Sequence, residues 1–518
     1  MLLFSIKTHI FNPLINEGCI FCNFSPKDSD MRKRFEQQLS LGQIPIEETY
    51  INPKKKYALD ELLAALKEIY CNTEYNEKIF RALEKQINAK TKNTGRKGMN
   101  LWCIFVLAQV RLCLNISYEA LHDLANNHRT MRQLMGVERR FGYEIVEFEY
   151  QNIYDNVSML RDELVAELNG VIVDFGHGEI FKKKGNTPSR LKTDSFVVES
   201  NVHFPTDYNL LWDCARKCLS TVSKFTEKYD GIKGWRKIGN WRREMKGLMR
   251  ELGKASSSGG RNKEQKVKAA AEKYLEKARL LSRKLSKEMP GFPAEDEADI
   301  VLIIVLEHFA ALMEKHIDLV ERRILKGEKI PHEEKIFSVF ETYTEWIKKG
   351  KMHPSVELGK KLAVTTDQYG LIVDYQIMEG EQDRDIVLKL ADRLLSLYKI
   401  DSWSFDKGFW LKTNKELLEL EVPQVIMPKL GRRNKEEETL EHSPRFKRLK
   451  NKHSAIESNI NELENRGLDR CPEKGYHHFK RYIGLGVAAY NLKKIGRYLL
   501  DGQREELKKA REKLRQAA

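Results

Sequence analysis

What most constrains this chain is an interruption. Two stretches read as neighbouring strands, GVIVDFGHGEIF from Gly170 and SFVVESNVHF from Ser195. Both are rich in Val, Ile and Phe, the composition of a pleated and half-buried surface. A long block of helical spacing follows over 207–330, including LLWDCARKCLSTVSKF and DIVLIIVLEHFAALMEKHIDLVERRI. Only then do strands resume, with KIFSVFETYTEW and with KKLAVTTDQYGLIVDYQIMEG, whose DQYG centre marks a hairpin. Helix DIVLKLADRLLSLY, strand SWSFD, helix KELLEL and strand QVIMPK then alternate in βαβ style. A helix-rich block between two strand regions reads as an insertion into one domain.

The fold class expected is therefore α/β: a mixed-sheet core interrupted by a large helical insertion and preceded by an all-α N-terminal domain. Residues 1–30 read as a disordered extension and 31–165 as the helical domain. The core is expected over 166–206 and 331–500, the insertion over 207–330, and a charged helical tail over 501–518. Within 31–165, a basic linker KTKNTGRKGMN precedes the strongly apolar helix LWCIFVLAQVRLCL. Next, NISYEALHDLANNHRTMRQLMG gives a helix capped by Ser117, a break at Asn126–Asn127, and a short helix bearing His128, Arg129 and Arg132. That pair is either a helix-turn-helix presenting Arg129 and Arg132 to DNA or an ordinary helical hairpin.

At 518 residues the chain has length for a sizeable core, and its net charge is +15. Residues 233–290 hold eighteen Lys/Arg against six Asp/Glu, so most of the excess sits in one segment. Clustered cations displace counterions from phosphates, which points to a polyanion partner, with a solvated helix face as the plainer reading. Arg236, Lys237, Arg242 and Arg243 lead that segment. No apolar run reaches the roughly 18 residues of a membrane helix. Lys7, Asn12, Asn16 and Glu17 break up the mildly apolar start, so no signal peptide is read and the expected location is the cytoplasm. Eight cysteines do not make a disulfide scaffold in a chain this long. Cys19 and Cys22 form a lone CxxC with no second pair at zinc-ligand spacing. The absence of GxxxxGK[ST] and GxGxxG gives no sign of a nucleotide cofactor.

Three carboxylates carry chemistry. Phosphodiester cleavage needs an attacking oxygen activated and a leaving oxygen neutralised, which two divalent ions held by a few carboxylates can do. Asp194 lies in the strand SRLKTDSFVVES, sharing a face with Phe196 and Val198, where an unpaired charge is costly. Asp406 follows Trp403, Ser404 and Phe405 at a strand's carboxyl end, where α/β sheets collect ligands. It also suits a turn or helix cap. Glu457 sits on a helix whose apolar positions are Ile456, Ile460 and Leu463, and its own face carries His453, Asn461 and Glu464. Asp174 in VIVDFGH rivals Asp194, and Glu464 rivals Glu457.

Four blocks make a more specific case: DSFVVESNVHFPTDYNLLWD, EKIFSVFETYTEWIKKGK, SFDKGFW, and HSAIESNINELENRGLDRCPEKGYHHFKRYIGLGVAAYNL. In this order they resemble the bacterial insertion-sequence transposases with an RNase H-like DDE domain, closest to the group often filed as ISNCY. The resemblance runs over about 31–500 and implies Asp194, Asp406 and Glu457 as the catalytic and metal-binding triad. The second and third acids lie 51 residues apart and the first two 212 apart, a gap the insertion accounts for. It implies two Mg²⁺ or Mn²⁺ ions, an activated water that cleaves the element end, and a freed 3′-hydroxyl that attacks target DNA. Residues 31–165 would bind the terminal inverted repeats, and the basic insertion would hold DNA near the cut. Lys407 would contact a phosphate or stand as a surface turn lysine. His203, Thr206 and Asp207 would lie near the first strand, supporting it or capping the next helix, with Asn461 a further supporting residue. His453 departs from the Arg more frequent in related families. Double-stranded DNA, at element ends and target, and a second copy in a synaptic complex would be the partners, with no membrane, in a bacterial nucleoid. A metal-dependent nuclease or resolvase of the same fold is one alternative, and a catalytically silent DNA-binding relative is the other.

Overall fold

The computed structural model describes residues 32–35, 42–87, 98–138, 146–184, 187–348 and 355–517. The expected extension 1–30, its CxxC and most of the KTKNTGRKGMN linker lie outside them. The chain divides into two compact units, one over Val202–Thr344 and one that joins the residues before Val202 to those from Glu345 onward.

The second unit is mixed α/β. Its sheet contains β1 (Ser189–Ser200), β2 (Glu345–Lys348), β3 (Val356–Thr366), β4 (Ile372–Ile377), β5 (Ile400–Phe405), β6 (Gln424–Ile426) and β7 (Arg470–Cys471). The strand order is β2–β3–β1–β5–β6, with β4 also on β3 and β7 at the end of β1. Central β1 runs antiparallel to β3, Asp194 opposite Val364, and parallel to β5, Thr193 opposite Phe405. Period-two alternation gives the sheet two unlike faces. Leu191, Trp403 and Phe405 are buried on one side with Leu390 and Leu394 of the helix Val387–Leu397 and Leu418 of Lys412–Glu421. Thr193 ties that side together: it accepts from Trp403 Nε1 at 2.8 Å and its hydroxyl meets that of Thr365 at 2.7 Å. The opposite face carries Lys192, Asp194, Ser402 and Ser404, and the helix Pro444–Leu463 packs against β1, β5 and β6 there.

The helices that precede β1 belong to this same unit. Leu101–Leu114 is buried nearly throughout, as a helix apolar on all sides must be. The long helix Tyr476–Ala517 runs against it and against Ala58–Cys71 and Asp162–Phe175. The approach to Ala58–Cys71 needs a glycine, because a Cβ on Gly496 would fall 1.6 Å from the carbonyl oxygen of Glu61.

Two strand assignments are corrected. GVIVDFGHGEIF is not a strand: Asp162–Phe175 is an α-helix that ends in a wider turn over Gly176–Ile180. Leu164, Val165, Leu168, Ile172, Val173 and Phe175 are buried, a helical spacing that overrides the β-branched composition. In KIFSVFETYTEW only the last residues enter the sheet, as part of β2. The DQYG hairpin stands between β3 and β4, with Gly370 at φ +79° in its turn. The break expected at Asn126–Asn127 falls on His128, which ends Tyr118–Asn127 and whose Nδ1 caps Arg129–Leu134. Ser117 caps Tyr118–Asn127 as expected from its position.

The first unit is helical: Asp207–Lys228, Ile238–Ser257, Lys263–Glu288 and Glu297–Val320. Its own core includes Phe225, Trp235, Tyr274 and Phe309. Thr206 caps the first helix, and Asp296 with Asp299 forms a reciprocal capping box on the last. Among the described residues no helix is long and apolar enough to cross a membrane.

Candidate active site

The parallel register of β1 and β5 puts Thr193 beside Phe405. The next residue on each strand is an acid, so Asp194 and Asp406 end up side by side at the same edge of the site. Asp194 is half-buried, and its Oδ1 accepts the backbone N–H of Ser195 at 2.7 Å. Burial pushes its carboxyl up to about 7; the Ser195 N–H opposes this, while the charges of Asp406, Asp383 and Glu457 add to it. The charges of the other two sequence-predicted acids therefore reach Asp194 through space. Asp406 and Glu457 are exposed.

The helix Pro444–Leu463 brings Glu457 over this edge. Ser443 caps it and Pro444 opens it, while Phe446, Ile456, Ile460 and Leu463 are buried. One turn before Glu457, His453 Nδ1 meets Ser404 Oγ at 2.9 Å. Burial holds the His453 ring down to about 4, against the pull of Asp406. This helix therefore offers a neutral imidazole beside the acids near pH 7, where a guanidinium was the more frequent expectation. Its Nε2 is buried without a hydrogen-bond partner among the described residues.

Asp383 was not singled out from the sequence. It sits in a short turn before the helix Val387–Leu397, accepting from Ser195 Oγ at 2.7 Å and from Lys361 Nζ at 3.1 Å. A Cβ on Gly408 would lie 2.9 Å from its Oδ2, so it also packs on the turn that follows Asp406. Asp383 thus fastens β1, β3 and that turn together. The only sequence signal was an acid-rich helix start, QDRD, which has no distinguishing period.

The other predicted residues are dispersed. Asp174 is an exposed helical residue. Asn461 is exposed and its Oδ1 accepts from Asn465 at 3.3 Å. Lys407 is exposed in the turn after Asp406. His203 belongs to the helical unit, its Nε2 3.4 Å from Asp213, and Asp207 pairs with Arg323 at 2.9 Å. Arg129, Arg236, Lys237, Arg242 and Arg243 are exposed. Arg132 is a correction, because it is only 4% exposed. Its guanidinium donates to Glu138 and to the carbonyls of Ala125 and Val146, closing its own helical hairpin.

Among the described residues, no three His, Cys, Asp or Glu side chains stand close enough together to hold a metal ion as they lie. Asp194, Asp406 and Glu457 have no ion-pair partner there either. Carboxylate oxygens are hard ligands, the type that suits Mg²⁺ or Mn²⁺.

The sheet thus brings Asp194, in the middle of β1, beside Asp406, just past the end of β5, with Glu457 on the covering helix. Residues 327–492, which include Asp406 and Glu457, match the family model described as the transposase DDE domain. The chain thus carries a DDE transposase domain of the insertion-sequence type, and its general function is that of a transposase. Asp194 lies outside the matched residues. No curated protein and no solved structure gives a match.

Proposed function

We propose that this protein cleaves DNA at the ends of an insertion sequence and joins the freed 3′-ends to target DNA, on an RNase H-like sheet. The observation that carries the reading is the meeting of Asp406 and Glu457, from the matched residues, with Asp194 on the neighbouring strand. The antiparallel β4–β3–β1 and parallel β1–β5–β6 arrangement supports the fold assignment.

Asp194, Asp406 and Glu457 would hold two Mg²⁺ or Mn²⁺ ions, which when bound neutralise charge on the reacting phosphate. Asp194 is fixed by the sheet and by Ser195, while Asp406 and Glu457 are exposed to incoming DNA. Lys407 beside Asp406 would draw the phosphate in. Arg129 in the N-terminal helices would bind terminal repeats, and Arg236, Lys237, Arg242 and Arg243 would hold flanking or target DNA. Pairing of two ends makes a second copy a partner, on the nucleoid.

Excision of a marked element with its native flanks tests this in cells. Wild type should excise, while Asp194→Asn, Asp406→Asn and Glu457→Gln should bind the ends and not cut them. A variant that keeps full activity removes its carboxylate from the triad. An inactive wild type that still binds DNA favours the silent relative.

A further inference from the structure

On the face of the sheet that carries Asp194 and Asp406, a short polar row precedes each acid. Two residues back along β1 stands Lys192 and two further back Arg190; along β5 stand Ser404 and then Ser402. Side chains on one face repeat every two residues, about 6.6 Å along a strand, so the cations begin one repeat from the carboxylates. The helix Pro444–Leu463 adds Lys452 and Ser458 from above. These six residues line a cleft of about 360 Å³.

The cations in it are unspent. None of Arg190, Lys192 and Lys452 is ion-paired to a carboxylate among the described residues. In the helical unit, by contrast, Arg322 alone has three carboxylate partners. Among the described residues, Lys192 Nζ donates only to the backbone carbonyl of Asp367, at 3.3 Å. The Asp367 carboxylate is occupied by His177 Nε2 at 2.5 Å and by the N–H groups of Tyr369 and Leu371. Three converging cations with hydroxyl donors between them make a cradle for a group with several anionic oxygens.

We infer that this cleft is a phosphate subsite that grips the DNA strand beside its cut phosphodiester, so that Arg190, Lys192 and Lys452 set the register of the strand over the acids. The inference rests on the acids being the reaction centre. It adds three positioning residues outside the triad and outside the basic helical segment.

The test uses the full chain and a duplex carrying an element end with its native flank, with binding measured without metal over a salt series. Arg190 and Lys452 are exposed, so Arg190→Ala and Lys452→Ala should melt as wild type does, and Lys192→Met keeps the stem packed. Each should lower the salt slope by about one. A single neutral methylphosphonate, stepped through the phosphates flanking the cut, should weaken wild type at one position and leave Lys452→Ala no weaker there. Unchanged slopes, or equal weakening of wild type and variants at every position, overturn the subsite. Inorganic phosphate that binds wild type and not Lys452→Ala, with DNA slopes unchanged, marks a site for free phosphate and overturns the DNA assignment. Wild type that cuts with Mg²⁺ while variants keep their slopes refutes the subsite alone. Variants that lose slope on a wild type that never cuts keep the subsite and refute the reaction.

Discussion

The two units handle charge in opposite ways. In the helical unit, Arg242 and Arg243 stand exposed on the helix Ile238–Ser257 and Arg236 and Lys237 in the turn before it, while the apolar face of that helix is already buried. Such cations act by number, and each is exchangeable for another. On the sheet, Asp194 is held half-buried at a fixed position, and burial, with smaller contributions from the charges of Asp406, Asp383 and Glu457, moves its carboxyl to about 7. The difference teaches where a substitution will be felt. Charge in solvent is worth little per residue, and charge held by a strand register is worth a great deal.

The sharpest break between the units should appear in turnover. Asp406→Asn should lower strand cleavage on the order of 10³-fold or more, while Arg242→Ala with Arg243→Ala should leave the rate at saturating DNA within about threefold, measured on the element-end duplex. If the double variant loses as much as Asp406→Asn, the helical unit takes part in the chemistry.

Next in size is a contrast within one hairpin. Arg132→Ala strands the Glu138 carboxylate and two carbonyls, and should cost about 2–4 kcal/mol in denaturant unfolding, whereas Arg129→Ala should stay within about 0.5 kcal/mol. Equal costs would place Arg132 at the surface.

A smaller effect follows from pH. An acid whose folded pKa is raised costs nothing below its unfolded pKa, near 4, and its full penalty is reached only above the folded value of about 7. Wild type without metal should therefore lose stability relative to Asp194→Asn as pH rises from 4 to 8, by about 1–3 kcal/mol after allowing for partial exposure. Adding Mg²⁺ should recover the difference in wild type alone. A gap that widens toward acid pH would mean that the carboxylate is paired with a cation.

The smallest effect is on binding. Arg242→Ala with Arg243→Ala should reduce the salt slope by about two, with a loss of affinity that is uniform across DNA sequences. A sequence-dependent loss would turn this face from a backbone holder into a base reader.

Much of the site was legible because strands announce themselves by period two. SRLKTDSFVVES and SWSFD both put their acids where the alternation says, and the DQYG hairpin follows from its turn chemistry. GVIVDF misled because its β-branched residues lie on a helix, held there by burial against other helices. Asp383 was hidden because a turn acid has no pattern and gains its meaning from Ser195 and Lys361, far away in the chain. Arg132 was misread because Val146, which takes one of its hydrogens, lies beyond the hairpin in sequence. The row Arg190, Lys192, Asp194 was visible as an alternation, but only the parallel neighbour β5 gives the cations something to line.

The gap of 212 residues between Asp194 and Asp406 has a consequence for the birth of the protein. Strand β1 leaves the ribosome with no sheet partner yet made, since β3 and β5 both come after the helical unit. At about 5–20 residues per second, roughly 10–40 s separate the two aspartates in synthesis. A nascent or prematurely terminated chain can therefore carry every basic residue up to 330 and still lack a cutting centre. Such a fragment would also lack the helix Tyr476–Ala517, against which the N-terminal helices pack, so both halves of the larger unit wait for the end of synthesis.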